Sequence, residues 1–290
     1  MRSARPFPTR RVVIAAALVG AGLVLVPAMI DALVRQTLYP APPVSVPSPP
    51  PGPLDEIHLA TAAGDQVVAW AGGAGAPAEG PVVLFFHGNG ENLETMRQAG
   101  LFAALERLAV AYLAVDYPGY GRSTGSPSEA RLAAAADAAL AWARRNHPRR
   151  PVVACGWSLG AAVAVALVAR HPAEIRGLAA LSPWTDLPAL ARTHFPIPGL
   201  GHAIRDRYDS LAAAPTIRAP ALVAHGEDDR IIPVAHGERL AGALAGEARW
   251  FPVRGAGHND LLGQPIVWEE LERFLRAVGR SRGGSSPGDG

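Results

Sequence analysis

The segment around Ser158 constrains the fold of this chain more than any other feature. An apolar run over residues 151–155 leads into Gly-Trp-Ser-Leu-Gly at positions 156–160, and small apolar residues follow as far as Arg170. This pattern predicts a strand, a very sharp turn that carries Ser158, and then a helix. Glycine is needed two residues before and after the serine, because side chains there would collide. The pentapeptide alone is a weak signal in a chain with 31 glycines, so its meaning depends on the rest of the sequence.

Charge patterning argues against a nucleic-acid partner. All 27 basic residues are arginine, and four of them precede residue 12. Beyond residue 30, the remaining 23 arginines face 25 acidic residues, so this part of the chain is slightly acidic and has no basic stripe. Apolar residues make up 49% of the 290-residue chain, which is enough to form the core of one large domain.

The N-terminal 34 residues are predicted to be a membrane anchor. Val12–Ile30 is an unbroken apolar run of 19 residues, about the length that spans a bilayer as a helix, and it shows no polar face. The arginines that precede it favour a cytoplasmic N-terminus, which places the rest of a single-pass chain on the extracytoplasmic side. A cleaved signal peptide is the alternative, because residues 26–28 are small enough for a peptidase, and the chain would then be secreted. The apolar run is longer than a signal peptide needs, which favours the anchor.

Composition divides the remainder of the chain. Eight prolines lie between positions 40 and 53, so residues 35–54 are predicted to be a semi-rigid linker. Residues 55–280 are predicted to be one domain, and residues 281–290, rich in glycine and serine, a disordered tail. Within the domain, residues 182–215 contain aromatic residues, prolines and glycines that break the regular pattern, which predicts a short cap insertion.

Short apolar runs alternate with helical stretches through this domain. Continuous apolar strands separated by helices predict an α/β fold with a mostly parallel sheet and helices on both faces. The predicted strands are Ile57–Thr61, Gln66–Ala71, Val82–Phe86, Val110–Val115, Val152–Cys155, Ile175–Leu181, Ala221–His225 and Arg249–Val253. The predicted helices are Leu93–Leu108, Glu129–Arg145, Leu159–Arg170, Val234–Leu244 and Ile266–Val278.

Reactive side chains follow several of these predicted strands. Ser158, Asp229 and His258 each come directly after a strand, and so does the loop over residues 87–90. Because the carboxyl ends of parallel strands share one edge of a sheet, we expect these groups to meet there. Asp229 has acidic neighbours at positions 227 and 228, and His225 is a second histidine near the same strand end. We interpret His225 as structural.

These residue types fit nucleophilic catalysis. A serine hydroxyl needs a base to remove its proton during attack, an imidazole can do so near neutral pH, and a carboxylate fixes the imidazole tautomer. The negatively charged oxygen that forms needs two hydrogen-bond donors. We predict the N–H of Leu159 as one donor and the N–H of Asn89 as the other.

Four segments give the chain a resemblance to a known family. They are residues 86–92, residues 116–123, the turn at Ser158 and residues 257–260. With them the chain resembles the α/β-hydrolase superfamily over residues 55–280, and within it the Bem46-like branch of membrane-tethered serine hydrolases. The resemblance implies the α/β-hydrolase fold and a Ser158–Asp229–His258 triad, with the family spacing favouring Asp229 over its acidic neighbours.

The resemblance implies hydrolysis of an ester, thioester or related acyl bond. No cluster has metal-ligand spacing and no glycine-rich loop fits a phosphate or dinucleotide, so we expect neither metal nor cofactor. Related chains commonly carry arginine or another polar residue at position 157. The indole of Trp157 therefore favours apolar acyl groups, from small molecules or lipids, and Trp184 either lines the same pocket or packs within the cap. Amide cleavage, acyl transfer and a non-catalytic scaffold remain alternatives, and the sequence does not predict the oligomeric state.

Overall fold

The computed structural model describes Leu25 and residues 28–280 of the chain. Across these residues, no helix combines the length and the apolar character needed to cross a membrane. The predicted anchor over residues 1–34 lies outside the described residues, except for Leu25 and residues 28–34. The predicted tail over residues 281–290 also lies outside them. Both remain predictions.

The predicted mostly parallel sheet is confirmed. The strands within residues 28–280 are β1 (Asp55–Ala60), β2 (Gln66–Gly72), β3 (Val82–Phe86), β4 (Ala111–Val115), β5 (Val152–Trp157), β6 (Ile175–Leu181), β7 (Ala221–Gly226) and β8 (Ala248–Val253). They form one sheet in the order β1-β2-β4-β3-β5-β6-β7-β8. Strand β2 runs antiparallel to both of its neighbours, and every other adjacent pair is parallel. Strands β3 and β4 are buried along their whole length, which is why their sequences are continuously apolar.

Helices flank this sheet on both faces, as predicted. In the described residues they are α1 (28–38), α2 (Leu93–Gln98), α3 (Leu101–Arg107), α4 (Glu129–Asn146), α5 (Leu159–Arg170), α6 (Leu187–His194), α7 (Leu200–Ala203), α8 (Ser210–Ala213), α9 (Ala235–Ala243) and α10 (Pro265–Arg280). Helices α4, α5 and α9 contribute to the hydrophobic core on one face, and α2, α3 and α10 contribute to the core on the other.

The prediction of one continuous helix over Leu93–Leu108 is wrong. The structure divides it into α2 and α3 at Gly100, whose φ of 81° lies in the left-handed region. Glycine adopts this conformation without the steric cost that a side chain would impose. The chain therefore changes direction between α2 and α3 although the apolar pattern continues.

The predicted cap residues 182–215 form short helices. They include α6, α7 and α8 and end in a 3-10 turn over Ala214–Thr216. The end of α6 is joined to the loop that follows β7, because His194 Nε2 lies 2.7 Å from the carbonyl oxygen of Ile231. The cap therefore borders the loop that carries Asp229.

Part of the proline-rich segment packs against the domain. Leu38, Tyr39 and Val46 are each less than 10% exposed and belong to the two hydrophobic cores. The side-chain amide of Asn92 donates to the carbonyl oxygen of Val44 at 2.7 Å. The segment predicted as a linker thus follows the surface of the domain at these positions, because its apolar side chains find buried partners there.

Helix α1 and the residue after it are fastened to the cap. Arg35 Nη1 donates to Asp206 Oδ2 at 3.0 Å, and the Tyr39 hydroxyl donates to the same oxygen at 2.8 Å. The hydroxyl groups of Tyr39 and Tyr208 lie 2.8 Å apart. All three contacts reach the segment between α7 and α8, so the leading helix and the cap form one connected unit.

Candidate active site

The turn that carries Ser158 has strained geometry. Ser158 lies between β5 and α5 with φ 57° and ψ −117°, a conformation that is costly for a residue with a side chain. A Cβ atom on Gly156 would lie 2.0 Å from the carbonyl oxygen of Gly160, and one on Gly160 would lie 1.9 Å from that of Phe86. The two glycines of the motif are therefore required by close backbone contacts, and the strained serine is held at the edge of the sheet.

Ser158, His258 and Asp229 are joined by hydrogen bonds. His258 Nε2 lies 3.0 Å from Ser158 Oγ, and His258 Nδ1 lies 2.7 Å from Asp229 Oδ2. All three side chains are buried, although they come from the ends of β5, β7 and β8. The structure therefore brings together the three residues that the sequence predicts as a triad.

Asp229 is held as a carboxylate. Burial raises the pKa of Asp229, but hydrogen bonds from His225 and His258 and from the Ile232 N–H outweigh burial and hold this pKa well below its ordinary value. The other oxygen, Oδ1, accepts the N–H groups of Ile231 and Ile232 at 2.9 and 2.7 Å. Because a carboxylate only accepts, His258 Nδ1 donates, and in the neutral form of the imidazole the lone pair of Nε2 therefore faces the serine hydroxyl.

A second histidine contacts the same carboxylate. His225 Nε2 lies 3.2 Å from Asp229 Oδ2 and 2.7 Å from the carbonyl oxygen of Ile232. Both partners accept hydrogen bonds, so Nε2 carries the proton. The His225 side chain is fully buried at the end of β7. The structural role predicted for this residue thus includes direct support of the carboxylate that orients His258.

We expect His225→Leu to lower kcat by about 10- to 100-fold with little change in KM. The reason is that a hydrogen bond to a charged group is worth about 1.5–3 kcal/mol, and each 1.36 kcal/mol of activation free energy changes the rate about tenfold. His225→Gln retains an N–H donor and should recover part of the loss. Steady-state kinetics on an activated ester, with thermal melting to check folding, makes the comparison. Unchanged kcat in a folded His225→Leu protein would contradict this role.

Hydrogen bonds fix the backbone of the loop over residues 87–90. The Tyr117 hydroxyl donates to the carbonyl oxygen of His87 at 2.7 Å, and His87 Nδ1 donates to that of Gly88 at 2.7 Å. The Tyr120 hydroxyl donates to the carbonyl oxygen of Asn89 at 2.9 Å. Three successive carbonyl groups are thus engaged, which fixes the orientation of the peptide N–H groups in the same loop.

Glu91 holds one peptide of the same loop, and the start of α5 offers a peptide N–H beside Ser158. Glu91 Oε2 accepts the N–H of Gly88 at 2.9 Å, and burial raises the pKa of this glutamate. Leu159 is the first residue of α5, where a peptide N–H has no acceptor within the helix. Leu159 and Asn89 are the two residues predicted to donate N–H groups to the oxyanion. Leu159 directly follows Ser158, and Asn89 directly follows Gly88, whose N–H is bonded to Glu91.

The side chains of His87 and Asp116 form a buried pair beside the loop over residues 87–90. His87 Nε2 lies 3.4 Å from Asp116 Oδ1, and the same oxygen accepts the Leu93 N–H at 2.9 Å. The His87 ring packs on Tyr117 with ring centroids 4.2 Å apart. Burial raises the pKa of Asp116. The segment over residues 116–123 therefore packs beneath the loop over residues 87–90 and supports it.

Comparison with known proteins identifies the family. The model of the alpha/beta hydrolase fold family matches residues 81–200. An uncharacterised Mycobacterium tuberculosis protein is 36% identical over 224 residues, which cover 76% of this chain and 78% of the relative. Alpha/beta hydrolase domain-containing protein 17B of Xenopus laevis is 32% identical over 204 residues, which cover 69% of this chain and 67% of the relative. This chain belongs to the α/β-hydrolase family.

A solved structure supports the same fold. An esterase of Pyrococcus furiosus aligns with this α/β hydrolase at a TM-score of 0.63 and 19% identity, covering 83% of this chain and 96% of the esterase. At this identity the likeness concerns the fold. Activity has to be argued from the side chains of the site.

The two tryptophans predicted for the substrate pocket of this hydrolase differ in their surroundings. The Trp157 ring lies 5.2 Å from the His258 ring, and a Cβ atom on Gly88 would lie 2.7 Å from the same indole. Trp157 therefore fills the space between the loop over residues 87–90 and the His258 ring. Trp184 is only 3% exposed and packs edge-on against Tyr208, with centroids 6.0 Å apart. Its placement favours packing within the cap over contact with a ligand.

Sequence reasoning missed the residues that hold the site in place. Glu91, Tyr117 and Tyr120 fix the loop over residues 87–90, and His225 supports Asp229. The tyrosines lie inside one of the family-like segments, which was a usable signal. Glu91 also lies inside such a segment, residues 86–92. Its contact with Gly88, three residues away, and the contact of His225 with Asp229, four residues away, follow from the irregular backbone of each loop, which no residue spacing indicates.

Proposed function

We propose that this α/β hydrolase is a serine hydrolase that cleaves carboxylic esters or related acyl bonds through an acyl-enzyme intermediate. The observation that carries the proposal is the pair of hydrogen bonds linking Ser158 to His258 and His258 to Asp229. The strained turn at Ser158 supports it, because such a turn exposes a nucleophile at the end of a strand. The esterase with the same fold adds support by analogy.

The hydrogen bonds between Ser158, His258 and Asp229 support the following route for the proton. Ser158 Oγ attacks the substrate carbonyl carbon while His258 Nε2 takes the hydroxyl proton, and Asp229 stabilises the resulting imidazolium. The carbon–oxygen bond to the leaving alcohol then breaks, and His258 returns the proton to that alcohol. A water molecule attacks the acyl-enzyme by the same route, which releases the acid and restores Ser158.

Two peptide N–H groups would stabilise the oxyanion. Leu159 offers its N–H from the start of α5, whose helix dipole also favours negative charge. Asn89 offers its N–H from the loop that Tyr120 and Glu91 hold in place. Donors fixed before the reaction need no reorganisation when charge develops, which is the source of their catalytic effect.

The proposal includes a membrane-tethered setting. The segments at residues 86–92, 116–123 and 257–260 resemble the Bem46-like branch of the family. The apolar run Val12–Ile30 and the arginines before it favour an N-terminal anchor with the hydrolase domain on the outer side of the membrane. Small or lipid-like esters at that surface are the substrates proposed.

A fluorophosphonate probe tests the assignment of the nucleophile. We expect the probe to label the wild-type chain at Ser158 and to leave Ser158→Ala unlabelled, because phosphonylation needs an activated serine hydroxyl. Labelling is read by gel fluorescence and by mass spectrometry of the modified peptide. Ser182→Ala, at another strand end, is the control and should label like the wild type. Equal labelling of Ser158→Ala would refute the proposal.

A membrane-impermeant form of the same probe tests location. On intact cells that express the chain, we expect labelling equal to that in lysed cells, and we expect the labelled protein to pellet with the membrane fraction. Labelling that requires lysis would contradict an outward-facing domain. Labelled protein in the medium would favour the cleaved signal peptide.

A further inference from the structure

The indole of Trp157 lies directly against the base of the proposed triad. Trp157 is the last residue of β5, its side chain is half-buried, and the chain turns sharply at Ser158 after it. The centroids of its ring and of the His258 ring are 5.2 Å apart, and the two planes are inclined by 32°. The two rings are therefore closer to stacked than to edge-on.

The backbone at Gly88 confines the indole to this position. A Cβ atom on Gly88 would lie 2.7 Å from Cζ3 and 2.8 Å from Cε3 of the indole, closer than Cβ atoms come to other heavy atoms in proteins. Position 88 must therefore be glycine while the indole keeps its place. The indole in turn occupies the space beside the His258 ring, so it restricts the rotation of that ring.

The contact with His258 is made by the indole ring and not by its N–H group. Trp157 Nε1 is buried and has no hydrogen-bond partner among the residues that the structure describes. A buried donor without a partner costs stability, and an apolar side chain would avoid that cost. The indole is therefore better explained by what its ring offers to His258 than by packing alone.

An aromatic ring at this distance distinguishes the two charge states of a histidine. The face of an aromatic ring carries partial negative charge and attracts a cation within about 6 Å of its centroid, and tryptophan does so most strongly. In the proposed reaction His258 is neutral before Ser158 attacks and positively charged afterwards. The indole would therefore stabilise the state that forms during the reaction more than the resting state, which is how an interaction raises a rate.

Asp229, His225 and Glu91 also act on His258 electrostatically. Asp229 Oδ2 lies 2.7 Å from His258 Nδ1, and His225 contacts the same carboxylate. Glu91, from the loop that follows β3, interacts with His258 through its charge, and burial raises the pKa of Glu91. The carboxylates favour the imidazolium, and a charged His225 would oppose it. All three remain when residue 157 is changed, so a substitution of Trp157 tests the contribution of the indole.

We propose that Trp157 is a positioning residue of this hydrolase, whose ring holds His258 toward Ser158 and stabilises the imidazolium that forms when the serine attacks. The inference rests on the proposed serine-hydrolase function and adds a residue to its machinery. Related chains commonly carry arginine or another polar residue at this position, so the contribution belongs to chains with an aromatic residue here.

Two substitutions of Trp157 separate the aromatic face from bulk, because Trp157→Leu removes the face and Trp157→Phe keeps one. With p-nitrophenyl acetate and the full chain, Trp157→Leu should lower kcat about 3- to 10-fold. It should also move the acidic limb of the kcat/KM profile about 0.5–1 unit to lower pH, because a less stabilised imidazolium loses its proton at lower pH. Trp157→Phe should remain within about twofold of the wild type. Trp142→Leu is the matched control and should change neither quantity, since Trp142 packs edge-on against His147 outside the candidate site, with centroids 5.3 Å apart.

Titration of His258 by NMR separates this inference from the proposed function. The signal is measured in the full chain with ¹³C-labelled histidine and Ser158→Ala, and it is assigned by its loss in His258→Gln. Adding Trp157→Leu should lower the titration midpoint by about 0.5–1 pH unit, with thermal melting to check folding. An unchanged midpoint in a folded chain would overturn the inference even when the probe labels Ser158 and kcat falls, because the indole would then act through packing alone. A lowered midpoint in a chain whose Ser158 does not take the probe would support the contact and refute the hydrolase proposal alone.

Discussion

Ser158→Ala is expected to lower kcat on an activated ester by about 10⁴- to 10⁶-fold. The residual rate would come from binding and from the oxyanion donors, which act without the nucleophile. Alanine keeps the Cβ atom, and hence the backbone strain, of the native turn, so the change removes the hydroxyl and little else. Steady-state kinetics with purified full-length chain provides the measurement.

The double variant Ser158→Ala with His258→Ala tests whether the two side chains act as one unit. Groups that act as one unit are strongly non-additive, so the double variant should be no slower than Ser158→Ala within about threefold. Thermal melting establishes that each variant is folded. Losses that multiply, or a Ser158→Ala rate within tenfold of the wild type, would mean that these side chains do not share one reaction path.

Gly160→Ala is expected to lower the free energy of unfolding by at least about 3 kcal/mol, because overpacking against backbone allows little relief. The added Cβ would lie 1.9 Å from the carbonyl oxygen of Phe86, so α5 and the end of β3 would have to separate. The loop over residues 87–90, which carries the proposed oxyanion donor Asn89, directly follows Phe86. Loss of stability should therefore be accompanied by loss of activity. Urea denaturation followed by circular dichroism gives the free energy.

Gly242→Ala is the matched control for this substitution. Gly242 lies in α9, and a Cβ atom there would have no heavy atom within 4 Å. Alanine favours the helix over glycine by about 1 kcal/mol, so this change should leave stability unchanged or raise it slightly. If Gly160→Ala and Gly242→Ala had similar unfolding free energies, the close contact at the turn would not be the reason for glycine in the motif.

The fold could be predicted from the sequence because its strands are buried on both faces. Strand β3 is apolar at every position, and the helices between strands carry their own periodic pattern. The break at Gly100 was missed because the apolar residues on either side continue one helical pattern. The burial of Leu38 and Val46 was missed because proline content describes local stiffness and says nothing of distant partners.

The candidate site was predictable to a similar extent. Ser158, Asp229 and His258 follow strands that end at one edge of the sheet, so topology alone brings them close. The contacts that fix them have no such pattern. Glu91 bonds to Gly88, three residues before it, and His225 contacts Asp229, four residues after it, because the irregular backbone of each loop turns these groups toward each other.

The contacts between helix α1 and the cap link the front of the chain to the candidate active site. Arg35 and Tyr39 donate hydrogen bonds to Asp206 in the cap. His194, also in the cap, is bonded to the carbonyl oxygen of Ile231 in the loop that carries Asp229. Helix α1 is thus connected to the loop that carries Asp229 through side-chain hydrogen bonds with the cap, independently of the chain over residues 40–54. An insertion within residues 40–54 would therefore leave these hydrogen bonds in place, whereas Asp206→Ala would remove both hydrogen bonds from Arg35 and Tyr39 and leave the cap attached to α4 through Glu129.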